Sequence, residues 1–357
     1  MQKSKMNIVI GSMAGSESKG KLAGYLAAKY KPEITCMASS PNAGHSIILG
    51  DKKFVSYHLP VSFVTNRDSV ICLGPTSLLS LPILQKEIAA CQVPDSKLVI
   101  HPRAVMIRDH YLHEEREQGL LKIGSTNQGV GVARREKVMR VEDISYAADI
   151  PELKKYLGDT VTLVNDCMDR GGTVLCEMTQ GFDLCLEHGI DPHYCTSKMI
   201  NPAMGAAEAG VSPKRVGNIY GVMRPYPIRV SNREGSSGPY AGAKEITWEE
   251  VALRSGFPGV LAEITTTTKL PRRVFEFSPR RMKRFIQICG PTHMCLQFAN
   301  YIDHKAFGVR VWEDLPAGVQ NWVTDFEATF GVSITYIGTG PDHDDMIDVS
   351  HVYSNGK

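Results

Sequence analysis

The stretch Met6-Asn-Ile-Val-Ile-Gly-Ser-Met-Ala-Gly15-Ser-Glu-Ser-Lys-Gly-Lys21 decides the fold. It opens with a short apolar run typical of a buried strand, turns through glycines, and leads into an amphipathic stretch over 20–30. A strand, a glycine-rich turn and a helix in this order form a phosphate-binding loop, whose backbone amides and lysine hold phosphate oxygens. Gly15 to Lys21 fits G-x-x-x-x-G-K, but Leu22 replaces the hydroxyl residue that normally ligates magnesium. The sequence thus predicts an atypical nucleotide-binding loop, with a glycine-rich turn that binds nothing as the alternative.

Short apolar runs recur along the chain and alternate with amphipathic stretches of helical length. The predicted strands are 6–10, 34–37, 70–73, 98–100, 174–176, 219–222, 293–298 and 334–337, and the predicted helices are 20–30, 78–90, 104–118, 151–170, 279–287 and 318–330. This alternation predicts an α/β fold with a large central, mostly parallel sheet flanked by helices. We expect a single domain over 1–357, with a mobile loop at about 231–243 because that segment is rich in Gly, Ser and Pro.

Composition excludes several classes of function. Forty Lys+Arg against 38 Asp+Glu give a formal charge of +2, too balanced for a general nucleic-acid or membrane-surface binder. No apolar run approaches the roughly 18 residues of a membrane span, and no signal peptide precedes the first strand. Nine cysteines without a Cys-x-x-Cys pair suggest neither a disulfide framework nor a zinc site. We therefore expect a cytoplasmic enzyme without nucleic-acid or membrane partners.

Six segments, taken in chain order, resemble motifs of the adenylosuccinate synthetases. They are Gly15-Ser-Glu-Ser-Lys-Gly-Lys21 (Gly-Asp-Glu-Gly-Lys-Gly-Lys in the family), Asn42-Ala-Gly-His45 (identical), Ile123-Gly-Ser-Thr126 through Gly129-Val-Gly131 to Arg140, Glu177-Met-Thr-Gln-Gly181, Tyr194-Cys-Thr-Ser197 and Thr339-Gly-Pro-Asp342. The resemblance spans most of the chain. It implies a P-loop-NTPase-like adenylosuccinate synthetase fold and a Mg²⁺-dependent ligase, which phosphorylates a purine O6 and then displaces that phosphate with aspartate.

The resemblance also implies site residues by position. The catalytic residues would be Ser16, Lys19, His45 and Gln180, and the magnesium ligands Ser16 and the Gly44 carbonyl. The triphosphate would be bound by Gly15, Glu17, Ser18, Lys19, Gly20, Lys21, Asn300, Gly340 and Pro341, and the monophosphate by Ser16, Asn42, Ser125, Thr126, Arg140, Gln180 and Thr196. The family's equivalent of Arg140 enters the neighbouring subunit's site, which implies a homodimer. Taken alone, His45 could be a satisfied core histidine and Arg140 a solvated helix residue.

Ser16 departs from the family, which has at this position an aspartate that accepts the N1 proton of hypoxanthine and binds Mg²⁺. A serine is a poor base near neutral pH, but it is shorter and can accept a hydrogen bond from a 2-amino group. We therefore expect dGMP as substrate, as in the family's branch from bacteriophages that carry 2-aminoadenine in their DNA. The enzyme would then work in the host cell cytoplasm. The alternatives are a conventional synthetase using IMP, aspartate and GTP, or a catalytically silent homologue.

Two further departures concern the other ligands. Gln297-Phe-Ala-Asn300 aligns with the family's Thr-Lys-Leu-Asp, so the guanine-reading carboxylate becomes Asn300, and an amide suits adenine, which predicts ATP or dATP as donor. Asn300 could instead cap a turn. The segment 265–273 resembles the family's aspartate loop, with Leu270 at its first arginine, and it predicts aspartate binding by Thr266, Thr267, Thr268, Arg272 and Arg273. The two arginines could instead lie on a solvated turn. For the acidic group His343-Asp-Asp345 we expect a solvated loop and not a metal site.

Overall fold

The computed structural model describes residues 1–232, 236–265 and 269–350. Its strands are β1 (Met6–Gly11), β2 (Ile34–Met37), β3 (His45–Leu49), β4 (Lys52–Ser56), β5 (Val70–Leu73), β6 (Leu78–Leu79), β7 (Leu98–Ile100), β8 (Val105–Met106), β9 (Val174–Gly181), β10 (Val216–Met223), β11 (Ile228–Val230), β12 (Glu245–Ile246), β13 (Arg272–Phe275), β14 (His293–Leu296), β15 (Ile334–Gly338) and β16 (Met346–Asp348). Its helices are α1 (Lys19–Tyr30), α2 (Leu81–Ala90), α3 (Asp109–Glu117), α4 (Val130–Met139), α5 (Thr160–Asp169), α6 (Pro202–Ala209), α7 (Trp248–Ser255), α8 (Pro279–Cys289) and α9 (Ala317–Phe330).

The predicted α/β fold is confirmed. In the described part of the chain, a nine-stranded sheet has the order β16-β15-β14-β10-β1-β9-β2-β5-β7. Every neighbouring pair is parallel except the edge pair β15–β16. All six residues of β1 are buried, as the apolar run predicts, because the strand lies mid-sheet with side chains packed on both faces. Ile8 and Ile10 join one hydrophobic cluster, and Val9 joins another with Leu22 and Leu26 of α1.

All eight predicted strands are present, although the one predicted over 293–298 ends at Leu296, because Phe298 is left-handed and starts a 3₁₀ helix. Three predicted helices are wrong in part. The prediction over 78–90 fails at its start, since Leu78–Leu79 pairs with Val105–Met106 as β6 and β8, and α2 begins only at Leu81. For the same reason α3 begins at Asp109 and not near 104. The predicted helix over 151–170 is a 3₁₀ helix, Pro151–Tyr156, followed by α5, because the Asp159 carboxylate accepts hydrogen bonds from the Val161 and Thr162 amides and starts a new helix.

The remaining predictions concern the cysteines, membrane spans, the mobile loop and the number of domains. All nine cysteines are free thiols. No helix in the described ranges has the length and apolar character to cross a membrane. Residues 233–235 of the predicted mobile loop lie outside the described residues, so its mobility stays a prediction, as does the single-domain organisation.

The candidate site lies at the carboxyl ends of the central strands, beside the hairpin β3–β4 and the small sheet β11-β13-β12. The phosphate loop follows β1, and the ends of β9 and β10 lie beside it, since both strands pair with β1. The hairpin β3–β4 begins at His45, and the small antiparallel sheet β11-β13-β12 carries Arg272. In open α/β sheets, ligands bind at this carboxyl edge.

Candidate active site

A cavity of about 580 Å³ lies at this edge of the sheet. Many of the predicted site residues line it, although they come from separate segments of the chain. They are Gly15, Ser16, Glu17, Ser18, Lys19, Gly20, Asn42, Gly44, His45, Ser125, Thr126, Gln180 and Arg272. Its volume falls in the range of small-molecule sites. The structure therefore brings most of the predicted triphosphate and monophosphate residues, and Arg272 of the predicted aspartate residues, to one cavity.

The phosphate loop folds around a buried carboxylate. One oxygen of Glu17 accepts hydrogen bonds from the Met13 and Gly15 amides, at 3.1 and 2.8 Å, and the other lies 2.8 Å from the Lys19 ammonium. Burial raises the pKa of Glu17, but the Lys19 charge and the hydrogen bonds outweigh it, so the pKa lies below its usual value. Glu17 is completely buried, and it is ionised at neutral pH. Its carboxylate thus acts as an internal anion that shapes the loop.

The loop backbone is also strained. Ser16 and Ser18 have φ values of 59° and 62°, in the left-handed region that costs non-glycine residues about 1–2 kcal/mol each. Close packing holds the loop in this shape: a Cβ on Gly181 at the end of β9 would lie 2.1 Å from the Met13 carbonyl oxygen. Gln180, which precedes that glycine, is left-handed too, with φ 70°. Strained residues gathered at one cavity are typical of functional sites.

His45 forms a pair with a second buried carboxylate. Its Nδ1 lies 2.5 Å from one oxygen of Glu177, which is completely buried on β9, and the Ser62 amide donates to the other oxygen at 3.5 Å. A carboxylate on one ring nitrogen fixes the orientation and tautomer of the imidazole. Nε2 is then the ring nitrogen that a ligand in the cavity can reach.

A cluster of arginines borders the cavity beside Ser16. The Arg224 side chain is fully buried and donates to the Ser16 carbonyl at 3.2 Å. The Glu263 carboxylate pairs with both Arg224 and Arg272 and accepts a hydrogen bond from the Tyr301 hydroxyl at 2.9 Å. Burial raises the pKa of Glu263, but the two guanidinium groups lower it to about 2. The Glu263 carboxylate therefore stays ionised and links the phosphate loop to the strand that carries Arg272.

Other predicted residues lie outside the cavity lining. The predicted donor residues Asn300, Gly340 and Pro341 belong to this group, as does Lys21, whose Nζ donates to the carbonyls of Gly340 and Asp345 at 2.6 and 2.8 Å. Thr196, Arg140 and Arg273 complete it, with Arg140 exposed at the C-terminal end of α4 and Arg273 paired with Glu245. Thr266, Thr267 and Thr268, predicted to bind aspartate, lie outside the described residues.

The acidic group near the C-terminus is tied to the hairpin β3–β4. Asp342, His343 and Asp344 have potential ligand atoms within 4.8 Å of one another. Asp342 accepts from the Gly50 amide at 2.7 Å, and the His343 amide donates to the Ile48 carbonyl at 3.0 Å. These contacts give the group a structural role, attaching the segment 339–345 to the hairpin.

The sequence did not reveal three charged residues of the site. Glu177 stands in a quoted motif but received no role, and its signal is a carboxylate in the middle of the apolar run Val174–Met178 of β9. Arg224 follows directly on β10, where a buried cation needs a partner. Glu263 has no local signal, because its two arginines lie on other segments of the chain, 39 and 9 residues away.

Comparisons with known proteins agree with this geometry. The sequence profile of the family described as "Adenylosuccinate synthetase" matches residues 8–148 and 144–306. The adenylosuccinate synthetase of Pyrococcus horikoshii is 32% identical over 348 residues, which cover 96% of this chain and 97% of that relative.

Two solved structures are similar over nearly the whole chain. The succinoaminodeoxyadenylate synthetase of cyanophage S-2L, bound to dGMP and dATP as an energy donor, has a TM-score of 0.82 at 32% identity and covers 96% of this chain and 95% of its own. The fully ligated adenylosuccinate synthetase of Plasmodium falciparum has a TM-score of 0.84, covering 96% and 99%. At 18% identity the latter shows the fold alone.

Proposed function

The chain belongs to the adenylosuccinate synthetase family of C–N bond-forming ligases, and we propose that it condenses L-aspartate with dGMP, driven by ATP or dATP. The product is N6-succinyl-2-amino-2'-deoxyadenylate, with ADP or dADP and phosphate released. This places the chain in the family's bacteriophage branch, which supplies 2-aminoadenine for DNA.

Ser16 is the observation that carries the proposal. It lines the cavity within the phosphate loop, and Glu17, the neighbouring carboxylate, is turned inward and occupied by two amides and Lys19. The loop thus presents a neutral hydroxyl where a conventional synthetase presents an aspartate. A hydroxyl leaves room for the 2-amino group of guanine and can accept its hydrogen bond. The similar cyanophage enzyme, solved with dGMP and dATP, supports the same substrates here.

The reaction proceeds in two steps. In the first, O6 of the guanine base attacks the terminal phosphorus of the donor, the bond to the β-phosphate oxygen breaks, and the N1 proton passes to water, to a phosphate oxygen or through Ser16 to another group. In the second, the neutral aspartate amine bonds to C6, the C6–O6 bond breaks, phosphate leaves, and the nitrogen gives up one proton to solvent. Lys19 and the amides from Glu17 to Gly20 hold the donor phosphates at the start of α1, and His45 Nε2 stabilises the transferred phosphoryl group.

The residues present fit a magnesium ion. The proposed ligands, the Ser16 hydroxyl and the Gly44 carbonyl, are both oxygens on the cavity wall, and magnesium prefers oxygen ligands. Both are uncharged, so negative ligands would come from the phosphates, as is common for this ion. When bound, Mg²⁺ neutralises charge on the donor phosphates.

The remaining site residues are part of the same proposal. Asn42, Ser125, Thr126, Gln180 and Thr196 hold the monophosphate, Thr266, Thr267, Thr268, Arg272 and Arg273 hold aspartate, and Asn300, Gly340 and Pro341 hold the donor base. Arg140 is exposed at the end of α4, where it can enter the site of a second copy, so we propose a homodimer.

A conventional adenylosuccinate synthetase is the second candidate, using IMP, aspartate and GTP. The enzyme of Pyrococcus horikoshii supports it as strongly as the cyanophage enzyme supports the first candidate, since both are 32% identical to this chain. The two candidates differ in the substrate base and in the donor base, so one set of assays separates them.

The deciding experiment supplies aspartate and Mg²⁺, with ATP or GTP as donor in parallel reactions and dGMP, GMP or IMP as substrate, and identifies products by mass. We expect turnover with dGMP and poor turnover with IMP, by a factor of up to ~10⁴ because a polar group matched to one substrate is left unpaired by the other. Ser16→Asp is the matched variant, which should move the preference toward IMP. Faster turnover of the wild type with IMP than with dGMP would contradict the proposal.

A further inference from the structure

Lys21 is the lysine that completes the G-x-x-x-x-G-K spacing, yet it does not line the cavity. Its Nζ is buried and donates to the carbonyl oxygens of Gly340, at 2.6 Å, and Asp345, at 2.8 Å. The Lys19 side chain, two residues earlier, lines the cavity and pairs with Glu17. The two lysines of the motif therefore serve different parts of the molecule.

The segment 339–345 closes around the Lys21 ammonium. The Thr339 amide donates to the Asp345 carbonyl at 3.0 Å, and the Asp345 amide donates to the Asp342 carbonyl at 3.1 Å. The Asp345 carboxylate accepts from the Asp342 amide at 3.1 Å and pairs with Arg310. Gly340 leaves room for this arrangement, because a Cβ there would lie 2.4 Å from that carboxylate and displace it from the Asp342 amide. With its carboxylate engaged elsewhere, Asp345 offers Lys21 its backbone carbonyl.

We propose that Lys21 is a positioning residue that fixes the segment 339–345, and with it the site for the donor base, at a set distance from the phosphate loop. The inference rests on the proposed function in one respect, namely that Gly340 and Pro341 contact the base. Lys21 follows Gly20 directly, so the backbone that holds phosphates and the side chain that holds the base segment belong to adjacent residues. The Lys21 side chain thus sets the distance between the phosphate loop and the base segment to the length of a nucleoside triphosphate.

The consequence is a specific pattern of kinetic change. A displaced base segment impairs recognition of the donor base but leaves the monophosphate and aspartate residues, which lie on other segments, in place. Loss of two charge-assisted hydrogen bonds should raise the KM for the donor by roughly ten- to hundredfold. It should also lower the discrimination between ATP and GTP, since both bases then meet a misplaced segment.

The test compares Lys21→Met with Lys29→Met. Lys29 also lies on α1 but is partly exposed and pairs with Asp348, so its removal controls for loss of a lysine from this helix. For each variant, kcat and KM are measured for ATP, GTP, the monophosphate and aspartate. We expect a raised donor KM and an ATP-to-GTP ratio of kcat/KM nearer to one in Lys21→Met alone. The KM values for monophosphate and aspartate should stay within about twofold of the wild type.

An equal decrease of kcat/KM for ATP and GTP, which leaves their ratio unchanged, would show general damage to the enzyme and overturn the proposal. An unchanged KM for the donor would overturn it as well. If Lys21→Met does not fold, Lys21→Arg provides the test, because its longer side chain keeps the charge but displaces the segment and should still move the ratio toward one. The ratio is informative whichever donor the wild type prefers. A wild type that prefers GTP would therefore refute the proposed donor without touching the role of Lys21.

Discussion

Lys19 and Lys21 are two residues apart, yet the phosphate loop that holds the first and the segment 339–345 that holds the second are built differently. Lys19 is held by the carboxylate of Glu17, and this pair keeps the carboxylate ionised although it is buried. Lys21 is held by two backbone carbonyls, and burial lowers its pKa to about 8. The partner of a buried charge, and not its place in a motif, therefore decides which role that charge can take.

The backbones of the two regions differ in the same way. The phosphate loop forces Ser16 and Ser18 into the left-handed region, and the buried anion and close packing compensate for that strain. The described segment 339–345 has no residue with positive φ and is closed by its own hydrogen bonds. The phosphate loop therefore depends on a charge pair and the other segment on hydrogen-bond geometry, and each dependence can be tested.

The largest effect is expected at the charge pair. Lys19→Ala should lower turnover by about 10²–10³-fold, as for other groups that stabilise transferred charge. Because it leaves the Glu17 carboxylate buried without its cation, it should also lower the free energy of unfolding by about 3–5 kcal/mol. Steady-state kinetics and denaturant unfolding measure the two losses.

The double variant Lys19→Met/Glu17→Gln separates these effects. It removes both charges, so stability should recover while turnover stays low. Recovery of turnover along with stability would mean that Lys19 only neutralises Glu17 and takes no part in the reaction. The same comparison applies to His45→Ala and the double variant His45→Ala/Glu177→Gln, because Glu177 is equally buried beside His45. We expect both to have low turnover and the double variant to be the more stable.

Sequence reasoning predicted eight of the nine described strands of the central sheet because they are apolar runs of three or more residues between helical stretches. It failed at 78–79 and 105–106, where the two-residue strands β6 and β8 pair with each other and the pairing partner, not the local pattern, decides the structure. In the candidate site, motifs predicted many of the polar residues that line the cavity, such as Ser16, Lys19, Asn42, His45 and Gln180. The destination of the Lys21 side chain and the pairing of Arg224 with Glu263 depend on segments far away in the chain, which no local pattern encodes.

An intermediate effect is expected at Asn300, in the region that we propose reads the donor base. Asn300 is buried on the 3₁₀ helix Ala299–Tyr301, directly after Phe298, which lines the cavity. Asn300→Asp should shift preference from ATP toward GTP by roughly ten- to hundredfold, because a carboxylate accepts hydrogen bonds from the two guanine donors. Competition between the two donors in wild type and variant measures the shift. An unchanged preference would assign base reading to other residues.

The smallest effect is expected for the pH dependence of the donor KM, which reports the charge of Lys21. The Lys21 pKa is lowered from 10.5 to about 8, chiefly by burial, and the charged or titratable groups that face it are Asp345, Cys295, Asp342 and Arg310. Burial raises the Cys295 pKa to about 12, and hydrogen bonds keep the Asp342 pKa below its usual value despite desolvation, so neither group changes charge near pH 8. Lys21 is thus charged below about pH 8 and loses its proton as the pH rises through that value.

A neutral amine still donates hydrogen bonds to the two carbonyls, but charge-assisted bonds are roughly twice as strong. The KM for the donor should therefore rise only about two- to fivefold between pH 7 and pH 9, a loss of ~1 kcal/mol or less. The donor phosphate, with a second pKa of roughly 6, is ionised throughout. Lys21→Met should have a higher donor KM without this alkaline rise. If the donor KM still rises with pH in the variant, a group other than Lys21 titrates. Lys137 on α4, whose pKa is also lowered to about 8, is then the first residue to test, as Lys137→Met.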